Sequence, residues 1–317
     1  MHTYIEPMNH ASTTSDRTAW VFVIIPTLYV LLALFVFTYP LDPMVESILP
    51  VPIFAGLFLL FFGSFLPENS YAKRFRIIGW IVFSFYWATQ PQTLYFAEQQ
   101  DIFNAFVSII GIYFLLYIAY HDWLSLRRKE DIDSLRWIAG ASALAGLLYF
   151  IVDLTPLAQW LINVVSVHSG WLLDLFVDGL TIEPPMISYK DAVIRIIFAC
   201  TAVQSMVLFV GMILPLPKVP WKRKITGVLI TVLPVYLLNL VRNASIVYLV
   251  GIYGPSFFGI AHNYIGKAGS LIALVILLFI VAKILPEIFD DILGLFDLPK
   301  RNGPLEVWFR NQVLGKK

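Results

Sequence analysis

Residues 192–214 are AVIRIIFACTAVQSMVLFVGMIL, an almost unbroken apolar run. An apolar run of this length suits a membrane-crossing helix, which needs about 20 such residues. It carries Cys200, the only cysteine of the chain. The next apolar run, 225–250, carries Arg242 as its one charged residue. An arginine at the centre of a spanning helix costs roughly 2.5 to 3.5 kcal/mol on insertion scales, so it faces a cavity or a partner more often than lipid.

Working outward, six further runs have near-bilayer length, at 20–39, 51–65, 77–95, 102–120, 135–152 and 268–285. With 59% hydrophobic residues among 317 and a mean hydropathy of +0.77, the chain exceeds what a soluble core needs. The expected fold is therefore an all-α polytopic membrane protein of about eight transmembrane helices. Arg17 precedes the first run, which is about 20 residues long and lacks a small-x-small cleavage site, so it reads as a retained span. The net charge of +1, without a long basic tract, excludes nucleic acid as an expected partner. A single cysteine forms no internal disulfide.

Loop charges set the orientation. Lys73, Arg74 and Arg76 follow the second run, Arg127, Arg128, Lys129 and Arg136 lie between the fourth and fifth, and Lys218, Lys222, Arg223 and Lys224 between the sixth and seventh. Lys300, Arg301, Arg310, Lys316 and Lys317 end the chain. The intervening loops carry Asp42, Glu46, Glu98, Asp101, Asp153, Asp174, Asp178 and Glu183, with Lys190 as a lone cation. Lysine and arginine are retained on the cytoplasmic side, so both termini are expected inside and the acidic loops outside.

The chain then reads as a single integral membrane domain over 1–317. It has motif-bearing helices at 192–285, an outer interfacial segment at 153–191 and a cytoplasmic tail at 286–317. Within the outer segment, the spacing of Leu157, Trp160, Leu161, Val164 and Val165 suits an amphipathic helix. Residues 287–298 have a similar character. Ala139, Gly140, Ala141, Ser142, Ala143, Ala145 and Gly146 permit close helix contact and read as packing. No internal repeat stands out.

Depth brings the chemistry together. Cys200 lies about eight residues, or about 12 Å, from the outer end of its run, and Arg242 lies at the same depth in the next. His262 follows in the expected outer loop and can fold onto that layer. A buried thiol is inert because desolvation disfavours the thiolate. A guanidinium opposes that effect and can donate to an oxyanion. Histidine can accept the thiol proton and return it to a leaving amine. Asn243 or Asn263 could orient the histidine or assist the oxyanion, and Arg195 either snorkels to headgroups or adds positive potential. Asp153 and His168 flank the outer surface and could contact a substrate.

Bland readings stand beside these. A lone cysteine in a spanning helix is most often a small packing residue, and a loop histidine is usually solvated. Asn243-Ala244-Ser245 fits a glycosylation pattern but lies inside a helix. No metal-ligand spacing appears among five scattered histidines, so no metal or cofactor is expected. Two other function classes remain open: a transporter or channel whose pathway Arg242 marks, and a non-catalytic membrane scaffold.

The phrases Ile197-Phe198-Ala199-Cys200-Thr201-Ala202, Leu240-Val241-Arg242-Asn243 and Ala261-His262-Asn263-Tyr264-Ile265-Gly266-Lys267 together resemble the exosortase and archaeosortase family. The resemblance covers chiefly the last three runs. It implies a membrane cysteine transpeptidase with Cys200 as nucleophile, Arg242 as thiolate and oxyanion partner and His262 as acid/base residue. Its implied partners are secreted and surface-layer proteins whose C-terminal signal combines a short Pro-Gly-Phe type motif, an apolar span and a basic tail. A membrane lipid is the implied acyl acceptor. The implied setting is a multi-pass protein of an archaeal cell membrane, with its active site toward the extracellular face.

Overall fold

The computed structural model describes residues 17–96, 101–313 and 315; Glu98 of the acidic loops and Lys316 and Lys317 of the basic tail lie outside the described residues. Helices run in the order α1 (Val21–Phe35), α2 (Pro43–Ile48), α3 (Pro50–Phe65), α4 (Ser70–Ala88), α5 (Gln90–Phe96), α6 (Ile102–Arg128), α7 (Asp133–Asp153) and α8 (Leu157–Asp174). Three strands follow, β1 (Leu180–Glu183), β2 (Met186–Tyr189) and β3 (Ala192–Arg195). The chain then continues through α9 (Val203–Ile213), α10 (Trp221–Tyr253), α11 (Lys267–Ile284), α12 (Glu287–Phe296) and α13 (Pro304–Gln312).

The protein is mostly helical, and six of its helical stretches are long and apolar enough to cross a membrane: Arg17–Phe35, Pro43–Phe65, Ile102–Arg128, Asp133–Asp153, Trp221–Tyr253 and Pro255–Ile284. Six of the eight expected runs fall in these. The run at 77–95 is helical as α4 and α5, but α4 starts at Ser70 and so takes in Lys73, Arg74 and Arg76. The amphipathic pattern after Leu157 forms α8, and the one after Glu287 forms α12.

The reading of 192–214 as one helix, and with it the all-α description, is corrected. Residues Ala192–Arg195 are the third strand of an antiparallel sheet ordered β1-β2-β3. Two-residue turns at Pro184-Pro185 and Lys190-Asp191 join the strands, and Lys190 takes a left-handed φ of 52°. Ile187, Tyr189 and Ala192 are buried while Val193 and Arg195 are exposed. Summed hydropathy misses this alternation, which has the period of a strand. Only α9 remains α-helical, and its 11 residues span about 16 Å, about half of a hydrocarbon core.

The chain divides into two compact units, one made of Met1–Leu59, Glu68–Ile132 and Gly294–Lys317, the other of Leu60–Pro67 and Asp133–Leu293. In the first, α4 and α1 pack along α6. Ala33, Phe37, Ala88 and Ile112 form a small core there. Charge is also buried: Arg76, 1% exposed, donates to Asp122 Oδ1 at 2.8 Å and to both oxygens of Glu68 at 2.9 Å. The α13 residue Glu306 accepts from the hydroxyls of Tyr117 and Tyr120 at 2.8 and 2.9 Å. Although burial opposes ionisation, contacts with His121 and Tyr117 hold its carboxyl at about 2.

In the second unit α9 packs on α7. A Cβ added at Gly211 would lie 2.7 Å from the carbonyl of Ala141 and 2.8 Å from Ala145 Cβ, so the small residues of α7 serve close packing as expected. α8 and the sheet both pack on α10. Their shared core includes Val165, Leu173, Ile187, Tyr189, Leu240 and Val247.

Removing one member of a buried ion pair leaves the other uncompensated, at about 3 to 5 kcal/mol. Arg76→Met is therefore expected to lower the thermal unfolding temperature in detergent. Arg76→Met combined with Asp122→Leu and Glu68→Gln, which together remove both carboxylates that Arg76 neutralises, should recover most of that loss.

Candidate active site

The backbone turns sharply at Cys200. β3 ends at Arg195, and Phe198–Cys200 form a single 3-10 turn. Ala202 then adopts a left-handed φ of 60° before α9 begins. For an L-residue with a Cβ this conformation costs about 1 kcal/mol or more. Such strain persists only where surrounding structure fixes it.

That fixing is visible. Asn239 and Asn243 of α10 each donate a side-chain amide hydrogen to the Cys200 carbonyl, at 2.8 and 3.0 Å. Asn243 Nδ2 also lies 3.4 Å from Ser169 Oγ of α8. Four residues apart, the two asparagines share one face of α10. Cys200 itself is half-buried and packs against the core shared by α8, the sheet and α10.

Arg242 stands between these asparagines in sequence, on the adjoining face. Its Nε is buried and has no hydrogen-bond partner among the described residues. It lines a cavity of about 490 Å³ together with Ala199 and Ala202, the neighbours of the Cys200 turn. The far wall is Gly266 and the face of α11 bearing Lys267, Ser270, Leu274 and Leu277. Arg242 and Lys267 supply positive charge to an otherwise mainly apolar space.

His262 is not in a loop, as expected from sequence. It lies in a π-helical turn, Ile260–Gly266, inside the continuous helical stretch Pro255–Ile284. Such turns are rare and occur frequently at functional sites. The His262 ring stacks on Phe258 with centroids 5.2 Å apart. The positive charges that bear on it are those of Arg242 and Lys267. Gly266 allows the turn to approach α10 closely: a Cβ there would lie 3.1 Å from Arg242 Nε and 3.3 Å from Ile246 Cδ1.

The structure thus brings the Cys200 turn, Arg242 and the His262 turn around α10. No hydrogen bond among the described residues joins the three side chains to one another. Asn243 serves the Cys200 backbone rather than the histidine. Asn263 is exposed, and Arg195 is exposed at the end of β3. Asn239, Ser169 and Tyr236 escaped the sequence reading. The i, i+4 spacing of Asn239 and Asn243 beside Arg242 was the available signal for the first.

A family model described as transmembrane exosortase matches residues 68–279. Archaeosortase A of Natronomonas pharaonis is 23% identical over 254 residues, covering 69% of this chain and 78% of that protein. Archaeosortase A of Haloferax volcanii is 23% identical over 268 residues, covering 71% and 86%. No solved structure matches the chain.

A buried carbonyl deprived of its donors costs about 1 to 3 kcal/mol. Asn239→Ala with Asn243→Ala is expected to lower the unfolding temperature and to speed alkylation of Cys200 by a maleimide, because the turn is released. Unchanged labelling would show that the turn holds itself.

Proposed function

The chain belongs to the transmembrane exosortase family, and from that premise we propose a membrane sorting transpeptidase that works through a Cys200 thioester. The observation that carries this reading is the pinned Cys200 turn beside a cavity into which Arg242 brings an unpartnered, buried Nε. Such a site has a nucleophile in a fixed place and a donor with unused capacity.

In this reading the Cys200 thiol passes its proton to His262 as sulfur attacks the scissile carbonyl. Arg242 opposes the desolvation that would keep the thiol protonated, and donates to the tetrahedral oxyanion. Collapse breaks the C–N bond, and His262 returns the proton to the departing amine. The resulting thioester is resolved by water or by a lipid amine or hydroxyl.

Likeness to proteins named archaeosortase A supports a substrate of secreted or surface-layer type with a C-terminal signal containing Pro-Gly-Phe, an apolar span and a basic tail. Small residues facing the cavity favour a helical occupant: at Gly269 an added Cβ would meet nothing within 4 Å. The cavity would then seat the signal's apolar segment, with its juxtamembrane peptide at Cys200. Cytoplasmic termini and an outward-facing site complete the proposal. A transport pathway through Arg242 is not favoured, because the family match is to an exosortase.

Mass spectrometry of a co-expressed secreted substrate tests the mechanism. Cys200→Ala should leave the enzyme's level unchanged and abolish both cleavage and lipid adduct; retained processing would remove the thiol mechanism. Arg242→Lys is expected to lose at least tenfold in rate, because a point ammonium does not reproduce a planar fork. Gly269→Phe, which fills the cavity without touching Cys200, should slow processing while leaving maleimide labelling of Cys200 intact.

A further inference from the structure

On the other flank of Cys200 stands a second histidine that the motifs do not include. His168 of α8 meets Tyr236 of α10 with Nδ1 2.6 Å from the phenol oxygen. The next residue, Ser169, is 3.4 Å from Asn243 Nδ2, the same nitrogen that holds the Cys200 carbonyl. Tyr236 and Cys200 pack against one buried cluster that includes Val165, Leu240 and Ala244. On α10, Tyr236 and Arg242 are six residues apart, which places them about 120° apart around the helix and about 9 Å along it. The Cys200 carbonyl is held by Asn239 and Asn243, whose positions fall between those two directions. Arg242 and the His262 turn therefore approach from one side, and the His168–Tyr236 pair from the other.

The geometry points to His168 as a further acid/base residue of the reaction, serving the acceptor half of the transfer, with Tyr236 as the residue that positions it. This inference rests on the thioester reading above. Transfer through a thioester requires two proton movements on two different partners, the leaving amine and the incoming nucleophile. The cavity beside Arg242 holds the departing segment, which leaves the α8 side for the acceptor.

The tautomer that donates from Nδ1 to the Tyr236 oxygen leaves the Nε2 lone pair free, and His168 is exposed enough to present it. As the acceptor's O–H or N–H attacks the thioester carbon, its proton moves to Nε2. The C–S bond then breaks, and the proton passes from His168 to the Cys200 sulfur, restoring the thiol. Protons and bonds balance without a further reactant.

Intact-mass measurement of the full-length enzyme purified with its co-expressed substrate tests this. His168→Asn keeps a polar atom for Tyr236 and removes the Nε2 position. It should cleave the signal yet accumulate a Cys200-linked adduct at least tenfold above wild type. Tyr236→Phe should do so to a lesser degree. Hydroxylamine, a strong nucleophile that needs no general base, should release the adduct from both at the wild-type rate. His262→Gln should show neither cleavage nor adduct.

Final product within twofold of wild type in both His168→Asn and Tyr236→Phe would overturn the assignment. So would loss of cleavage without adduct in Tyr236→Phe, the variant that guards against misfolding of the first. Processing that survives Cys200→Ala would instead overturn the thioester reading itself.

Discussion

The carbonyl of Cys200 is the group on which the rest of the site depends. It falls where a strand has ended and a helix has not begun, so neither a ladder nor a helical repeat supplies it with a donor. In a protein with many apolar helices, an unpaired backbone group of this kind is costly wherever water is scarce. Asn239 and Asn243 supply two donors from α10, and in doing so tie the turn to the helix that carries Arg242. One requirement of backbone chemistry thus brings the thiol and the guanidinium, 42 residues apart in sequence, to the same helix.

Much of the fold was legible in composition, and the site was legible in part. Apolar length located α1, α3, α6, α7, α10 and α11, because a helix that faces lipid or other helices needs little besides apolar residues. The same measure failed at 192–214, where strand residues contribute as much hydropathy as helical ones and only the alternation of buried Ala192, exposed Val193, half-buried Ile194 and exposed Arg195 marks the strand. The order Cys200, Arg242, His262 was legible as a resemblance. The asparagine clasp was not, since its acceptor is a backbone atom that no motif records. Asn263 and Arg195 attracted notice by proximity in sequence, and the structure leaves both exposed.

Charge shows a similar limit. Lys73 and Arg76 read as loop cations, yet both lie on α4 and are buried, with Lys73 reaching Asp131 at 2.6 Å and Arg76 held by Asp122 and Glu68. A cation neutralised in this way is held inside its unit by its partner carboxylates, and removing one member would leave the other uncompensated. Sequence counts the charge but not its partner. The tail helix α13 is fastened by the same means, through Glu306 on the α6 residues Tyr117 and Tyr120.

The π-helical turn bears most directly on chemistry. Bonds from i to i+5 admit an extra residue per turn, which rotates the side chains that follow relative to those before. Phe258 precedes the turn and supports the His262 ring from one face. Gly266 closes it, and its lack of a side chain lets it lie close against Arg242: a Cβ there would be 3.1 Å from Nε, so the guanidinium would have to give by a few tenths of an ångström. A regular helix through this stretch would change the angle between His262 and Gly266, so the histidine's direction and the seat of Arg242 could not both be kept. The irregularity is therefore a condition of the site, in the same way as the left-handed Ala202 beside Cys200. The two strained elements belong to different segments, and both pack toward α10, the helix that contributes Arg242 and its flanking asparagines.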